Sequence, residues 1–258
     1  MLEHNERNLV DRYLRAAQAG DLNAMNAVGN LYYNGEMVAR NYRLAFKWYK
    51  AAAEAGNIDA MRSLAEMYHL GEGTRKSSNK AVEWFTRAAD RDDGAALNAL
   101  GYLYHQGDGV KRDLPKAIDL YRKAAERGNS EAMVNLAYIC FKGEGSVKNE
   151  QLAFQWYERA AQLNHPEALR NLALMCYNGQ GTAQDIRKAY WLMTRAAKLH
   201  YDFAMAELAE MYFRGERQNW KRAAIWYRQV LKSDNEEIRA AALTALEEME
   251  IEKASPLD

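Results

Sequence analysis

Six Ala-Ala pairs at intervals of 36 residues constrain the fold of this chain more than any other feature. The pairs are Ala16-Ala17, Ala52-Ala53, Ala88-Ala89, Ala124-Ala125, Ala160-Ala161 and Ala196-Ala197. Six glycines keep the same interval: Gly35, Gly71, Gly107, Gly143, Gly179 and Gly215. A period of this length is typical of a solenoid, in which each unit buries its apolar surface against its neighbours. The pattern therefore predicts one continuous array of repeats.

Each unit predicts two helices. The apolar residues of its first half are spaced i, i+4, i+7 and i+8, as on the buried side of a helix: Ala24, Val28, Leu31 and Tyr32. Glycine then ends this helix, since it adopts the left-handed conformation without a Cβ penalty. The second half repeats the helical spacing with Ala45, Trp48, Tyr49 and Ala52. The sixth unit is weaker, because Arg217 replaces its second loop glycine and it is two residues shorter.

The stretch from Ala96 to Gly128 carries the residues of a known repeat type. It reads Ala96, Leu100-Gly101, Tyr104, Gly107-Asp108-Gly109-Val110, Lys116-Ala117, Tyr121 and Lys123-Ala124-Ala125-Glu126-Arg127-Gly128. This order resembles the Sel1-like repeat, a relative of the tetratricopeptide repeat, with Leu120 in place of the usual tryptophan. The resemblance implies an all-α fold: a right-handed α-solenoid superhelix of helix-turn-helix repeats, with about fourteen helices.

The repeat register divides the chain into four segments. We expect a capping half-repeat over residues 1–20, with its helix starting near Asn8, and six Sel1-like repeats over residues 21–235. One further helix over residues 236–252 caps the other end, and residues 253–258 form a flexible tail. The glutamates of this capping helix, Glu236, Glu237, Glu247, Glu248 and Glu250, give it the polar outer side that terminal units of a solenoid need to remain soluble.

Charge and cysteine content exclude several classes of protein. The chain has 35 basic and 35 acidic residues, near balance in both halves, so we expect no nucleic-acid partner. No apolar run is long enough to insert into a membrane. Two cysteines and no secretory signal favour a cytoplasmic location, or a periplasmic one if a signal was removed. We also expect a monomer.

The sequence contains no convincing catalytic, cofactor or metal motif, so we expect a non-enzyme without cofactors. His69 and His105 occupy equivalent places in adjacent units, too far apart to share a zinc ion. Ser77-Ser78-Asn79-Lys80 is a minimal Ser-x-x-Lys motif without a matching second motif. Cys140 and Cys176 replace tyrosines of the buried stripe, which predicts reduced, buried thiols.

A ladder of rings is predicted on the side of the first helices that faces away from the core. By resemblance to tetratricopeptide arrays, this side lines a concave groove. The ring in each unit is Tyr33, His69, His105, Phe141, Tyr177 or Phe213, with Tyr102 and Tyr138 widening the ladder at the position of Asn30. Polar residues lie beside it: Asn26, Arg62, Asn98 and Arg170, with Asn34, Gln106, Lys142, Asn178 and Arg214 alongside. Rings would anchor a partner while amides and guanidinium groups hold its backbone or carboxylates.

The resemblance implies a scaffold or adaptor that binds a protein or peptide in this groove, as bacterial members of the family do. One alternative is an immunity or inhibitor protein that masks a toxin or effector. A further alternative is a hydrolase of the β-lactamase-like type. Another reading of the ladder is that its rings only pack against neighbouring first helices.

Overall fold

The computed structural model describes residues 2–145 and 147–254, with side chains described for residues 8–145 and 147–250. Over these ranges the chain forms fourteen α-helices and no β-strand, which confirms the predicted all-α fold. The helices are α1 (Leu2–Gln18), α2 (Leu22–Asn34), α3 (Tyr42–Glu54), α4 (Ile58–Leu70), α5 (Ser78–Ala89), α6 (Gly94–Gln106), α7 (Leu114–Glu126), α8 (Ser130–Lys142), α9 (Glu150–Gln162), α10 (Pro166–Asn178), α11 (Ile186–Lys198), α12 (Asp202–Arg214), α13 (Trp220–Val230) and α14 (Glu236–Ala254). None of these described helices is both long enough and apolar enough to cross a bilayer.

Helices α2 to α13 pair into six repeats, each with an even-numbered first helix and an odd-numbered second helix. The chain divides into two compact units, Met1–Ala132 (unit 1) and Met133–Asp258 (unit 2). In unit 1, every helix from α1 to α7 packs against the next one along the chain. In unit 2, the same holds from α9 to α14, and α12 also packs against α10 and α14. Neighbour-to-neighbour packing is the arrangement expected of a repeat array.

Short polar side chains fix where most helices begin. Asn or Asp precedes the helix and its side-chain oxygen accepts a hydrogen bond from a backbone N–H of the first turn, as Asp93 does from Ala96 at 2.6 Å. The same cap is made by Asp21, Asn41, Asn57, Asp113, Asn129, Asn149, Asp185, Asn219 and Asn235. Each bond satisfies a donor that the helix itself leaves without a partner.

The predicted helix-ending glycines adopt the left-handed conformation in five of the six repeats. Gly35, for example, has φ of 76° and donates to the carbonyl of Leu31. Gly215 is the exception: its φ is −82°, so the expected left-handed end of α12 is wrong. The connector that follows is two residues shorter than in the other repeats, and it reaches α13 by an extended path instead.

Repeated alanines form the centre of both units. The alanine that recurs every 36 residues in the first helix is buried in every repeat, at Ala24, Ala60, Ala96, Ala132, Ala168 and Ala204. Close approach also explains the small residue that follows the central leucine or valine. A Cβ added to Gly101 would lie 2.9 Å from the ring of Tyr121 on the paired helix. Hydrogen at this position therefore lets the tyrosine ring pack flat against the first helix.

Three sequence predictions need correction at the level of elements. Cys176 is buried as expected, but Cys140 is only half-buried, and neither of these described residues forms a disulfide. Helix α1 begins at Leu2, well before the predicted start near Asn8. Helix α14 continues through Lys253 and Ala254, which we had assigned to the flexible tail, while residues 255–258 lie outside the described part of the chain.

Candidate functional site

Two adjoining pockets open on the first helices of unit 2. We call this surface the first-helix face of unit 2; it is formed by α8, α10 and α12. One pocket, of about 310 Å³, lies between α8 and α10. The other, of about 380 Å³, lies between α10 and α12. Leu174 and Asn178 line both pockets, so the two form one furrow that crosses α10.

The pocket between α8 and α10 combines rings, aliphatic groups and amides. Tyr138 and Phe141, one turn apart on α8, face Leu174 and Met175 of α10. The remaining lining side chains are mostly polar: Lys142, Tyr157, Glu167, Arg170, Asn171, Asn178 and Gln180. Tyr138 is 44% exposed, so its ring is open to a partner. The volume lies at the lower end of the roughly 300–1,000 Å³ of small-molecule sites. It suits one or two side chains of a larger partner.

The pocket between α10 and α12 is the more apolar of the two. Leu174, Tyr177 and Met211 supply its apolar walls. Its charged residues are paired with one another: Arg214 lies 3.3 Å from Glu210, and it also bonds Glu248 of α14. Side-chain charges that are already paired attract a charged group of a ligand more weakly. Shape and apolar contact therefore dominate what this pocket would select.

Arg170 stands between the two pockets and is already engaged. Its Nε donates to Glu207 of α12 at 2.8 Å, and a second guanidinium nitrogen donates to the other carboxylate oxygen. Burial lowers the pKa of the Arg170 guanidinium, but the hydrogen bonds to Glu207 outweigh it and leave the pKa raised. A two-pronged bond of this kind fixes both side chains. Arg170 therefore shapes the furrow more than it offers a charge to a partner.

Tyr157 forms the floor of the first pocket from α9. Burial raises the pKa of its phenol well above the usual value, and the nearby Glu167 carboxylate raises it further. The hydroxyl therefore stays protonated at physiological pH. It adds a neutral donor and acceptor to the pocket floor.

In unit 1, two predicted ladder rings lie against the connector of the next repeat. The hydroxyl of Tyr33 donates to Glu72 at 2.7 Å, and His69 Nδ1 lies 3.5 Å from an Asp108 oxygen without a hydrogen bond to it. Glu72 and Asp108 are equivalent residues, each following the glycine that ends a first helix. These contacts tie consecutive repeats together. They resemble the packing alternative for the ladder, although the partner is a connector residue and not a first helix.

The other predicted residues of unit 1 divide between engaged and exposed side chains. Arg62 bonds Asp93 at 2.6 Å and Asp59 at 2.8 Å, and Asn30 accepts a hydrogen bond from Tyr49 at 2.6 Å. Tyr102 is 48% exposed on α6. Asn26, Asn98 and His105 are half-buried, and the His105 ring meets the ring of Tyr121 edge-on at 6.3 Å.

Phe213 does not belong to a binding surface, and the prediction that it extends the ladder is wrong. Its ring is only 2% exposed. It packs edge-on against Trp220 with the ring centroids 6.0 Å apart. The shortened connector of the last repeat brings Trp220 of α13 close enough to cover it.

Sequence reasoning missed six residues of the first pocket: Tyr157, Glu167, Asn171, Leu174, Met175 and Gln180. A signal was available for one of them: Leu174 occupies the position of Tyr138 one repeat earlier and of Tyr102 two repeats earlier. Following that position by register, whatever the residue type, would have found it. No sequence signal identifies Asn171, Met175 and Gln180, because their position in the pocket depends on how α8 packs beside α10.

The described side chains form no cluster of three or more His, Cys, Asp or Glu residues suited to a metal ion. The residues of the Ser-x-x-Lys motif have ordinary structural places. Ser77 is the residue before α5, and the ammonium of Lys80 lies 5.2 Å from the centre of the Tyr68 ring. Burial raises the pKa of the Cys176 thiol, which disfavours the reactive thiolate.

Several solved structures are similar to this chain. A Sel1 repeat protein from Oxalobacter formigenes is 31% identical with a TM-score of 0.78, over 86% of this chain and 99% of that one. The protein c5321, a protective antigen of uropathogenic Escherichia coli, is 30% identical with a TM-score of 0.75, over 95% of this chain. This chain spans only 56% of the length of that antigen.

Immunity protein Pa5087 of Pseudomonas aeruginosa shares the fold at 19% identity, with a TM-score of 0.54 over 92% of this chain and 89% of that one. A comparison with curated protein sequences gave no match. The model of the Sel1 repeat matches six consecutive segments: 22–57, 58–93, 94–129, 130–165, 166–201 and 202–230. Their boundaries coincide with the six helix pairs. This chain therefore belongs to the Sel1 repeat family.

Proposed function

We propose that this protein is a non-enzymatic scaffold that holds a segment of a protein partner along the first-helix face of unit 2. The observation that carries the proposal is the furrow formed by two pockets that share Leu174 and Asn178. Membership in a repeat family whose members generally mediate protein–protein interaction supports it.

The chemistry of the furrow fits an extended peptide segment with apolar side chains. Tyr138, Phe141 and Leu174 offer apolar contact area, which is the usual anchor of a protein interface. The amides of Asn178 and Gln180 offer both donors and acceptors, whereas Asn171 already accepts a hydrogen bond from Arg170 at 3.2 Å. Such amides match the repeating N–H and C=O groups of a peptide backbone. The paired state of Arg170 and Arg214 argues against selection by a single strong charge.

The test is capture of partners from the native source by immobilised protein, with quantitative mass spectrometry. Replacing both Tyr138→Ala and Phe141→Ala should reduce the recovery of the specific partner at least tenfold, about 1.4 kcal/mol of binding free energy. Leu163→Ala is the matched control, because Leu163 is an exposed apolar residue at the end of α9, outside both pockets. Full recovery by a double variant with native helicity and melting would refute the assignment of this face.

An immunity role is the second candidate for the same face. Its support is the shared fold with an immunity protein over nearly the whole chain. Under this reading, the partner held in the furrow is a toxin encoded beside this gene. Co-expression should then rescue cells from that toxin, and the Tyr138→Ala, Phe141→Ala variant should not. Equal rescue by the parent protein and by the double variant would refute the immunity role of this face and leave only its scaffold role.

A further inference from the structure

The second helices of the last two repeats carry seven basic residues and no acidic residue. These are Arg187, Lys188, Arg195 and Lys198 on α11, and Lys221, Arg222 and Arg228 on α13. The other second helices, α3, α5, α7 and α9, each include at least one acidic residue. The balanced charge of the whole chain conceals this local excess.

Five of these cations form a stripe on the outside of unit 2, together with two apolar side chains. On α11 the stripe comprises Arg187, Trp191, Arg195 and Lys198, spaced i, i+4, i+8 and i+11; on α13 it comprises Lys221, Ile225 and Arg228, spaced i, i+4 and i+7. Residues at these spacings share one side of a helix. We call this surface the outer basic stripe. Lys188 and Arg222 lie apart from it, beside Glu158 and Tyr212.

Trp191 and Ile225 are the apolar centre of the stripe. They are 56% and 55% exposed and occupy equivalent positions in consecutive repeats. The earlier repeats place polar residues there: Lys47, Glu83, Asp119 and Gln155. One exposed apolar residue needs no explanation, but two at the same register form a patch on adjacent repeats. Trp is also the residue most enriched where partner proteins anchor.

The stripe cations are not neutralised within the described residues. Arg187, Lys198, Lys221 and Arg228 are exposed and make no ion pair there. Arg195 lies over the Trp191 ring at 4.8 Å and donates to the Asn164 side chain, a neutral group. Their charge is therefore available to an acidic ligand.

We infer that the outer basic stripe docks an acidic amphipathic segment of a second protein, independently of the first-helix face. The unpaired cations favour carboxylates on the ligand. Trp191 and Ile225 favour an apolar side chain between those carboxylates. An amphipathic helix with acidic flanks meets both demands and lies naturally across two neighbouring helices. The branched side chain of Ile225 offers no stacking surface for nucleic-acid bases. Two apolar residues are also far fewer than the wide apolar face that lies in a lipid interface.

The test uses fluorescence anisotropy with three labelled synthetic helices of 18 residues. The first has a leucine face and glutamate elsewhere; the second replaces glutamate with glutamine, and the third replaces leucine with alanine. We expect the first to bind, and to weaken at least tenfold between 50 and 300 mM salt because screening shortens the reach of its charges. The other two should bind at least tenfold more weakly. Absence of binding by the first helix, or equal binding by all three, would overturn the inference.

Variants then locate the binding. Trp191→Ala with Ile225→Ala, and separately Lys221→Glu with Arg228→Glu, should each weaken binding at least tenfold. The controls are Leu163→Ala for exposed apolar area and Lys111→Glu with Arg122→Glu for exposed charge in unit 1; both should bind as the parent does. The Tyr138→Ala, Phe141→Ala variant should also retain full binding, which separates this surface from the furrow. Retained affinity in folded stripe variants would refute the site.

Competition identifies the class of partner. A 20-nucleotide single-stranded DNA and vesicles with 30% phosphatidylserine in phosphatidylcholine should each displace the acidic helix poorly. Tighter binding of either one than of the helix would replace the proposal with a nucleic-acid or membrane surface. Sedimentation velocity should show a monomer, and a dimer broken by Lys221→Glu with Arg228→Glu would assign the stripe to a second copy instead.

Discussion

At the residue scale, Gly73 shows how closely consecutive repeats approach. It is the second glycine of the connector between α4 and α5, with φ of 67°. A Cβ placed there would lie 2.2 Å from the carbonyl oxygen of Tyr42, at the start of the previous repeat's second helix. The equivalent Gly109 and Gly181 approach Ser78 and Glu150 in the same way. The connector therefore has a packing role as well as a turning role.

We predict that Gly73→Ala destabilises the protein by about 3 kcal/mol, from a left-handed backbone cost of about 1 kcal/mol and a clash with a backbone atom that cannot rotate away. Gly56→Ala is the matched control, since Gly56 also has positive φ, at 104°, but no atom lies within 4 Å of an added Cβ. It should cost only about 1 kcal/mol. Urea unfolding measures both, and equal losses would contradict the packing role of Gly73.

Individual residues also show what the sequence could and could not predict. The register placed Tyr138, Phe141 and Arg170 on one surface, because helical periodicity fixes which side of a helix a residue occupies. The register could not predict that Glu207 would form an ion pair with Arg170, or that Trp220 would cover Phe213. Those outcomes depend on side chains from another helix, at distances that no periodicity within one helix encodes.

At the element scale, the last repeat departs most from the pattern. Helix α13 has eleven residues where most of its equivalents have thirteen, and the glycine before its connector lacks the left-handed conformation. The sequence predicted this weakness from the missing glycine and the shorter length. It did not predict that Phe213 would be buried as a result, which lends the short repeat some apolar packing of its own.

We predict that amide hydrogens in α13 exchange faster than those in α10 of the same unit. Among the described residues, α10 packs most closely against α9, α11 and α12, whereas α13 packs most closely against α12 and α14. Fewer neighbours lower the free energy of local opening. Hydrogen–deuterium exchange with peptide-level mass spectrometry measures the difference. Val230→Ala, which removes a fully buried side chain of α13, should speed exchange in α13 and leave α10 unchanged. Equal protection of the two helices would contradict this order.

At the scale of the whole molecule, the net charge was less informative than the charge counted for each repeat position. The balanced charge of the two halves led us to expect no nucleic-acid partner, yet α11 and α13 together carry seven cations without an acid. A solenoid presents each helix face separately, so charge must be counted for each face and each repeat. Counting by register along the printed sequence would have found the stripe. The furrow on the opposite helices needed the packing of α8, α10 and α12.

Because each helix packs mainly against its neighbours, helix α14 has a defined structural role. Helix α14 is the last element of unit 2 and covers α12 and α13. It buries Ala242, Ala245 and Met249, and its Glu248 bonds Arg214 of α12. An open array end would expose the apolar sides of the preceding helices, which is why repeat arrays need caps. Helix α14 has the acidic outer side from which we predicted a capping role.

We predict that a chain ending at Asp234 melts at a lower temperature, binds a hydrophobic dye and aggregates on heating, because the sides of α12 and α13 under α14 become exposed. Met249→Ala in the full chain isolates the packing contribution: loss of a side chain that is 2% exposed costs about 2 kcal/mol or more, roughly 5 °C in melting temperature. A chain ending at Glu250 keeps these contacts and is the control; it should melt within about 2 °C of the full chain. Differential scanning fluorimetry and light scattering follow all three. A chain ending at Asp234 that melts like the full protein and stays clear on heating would show that α14 is dispensable, and that unit 2 is closed by α13 itself.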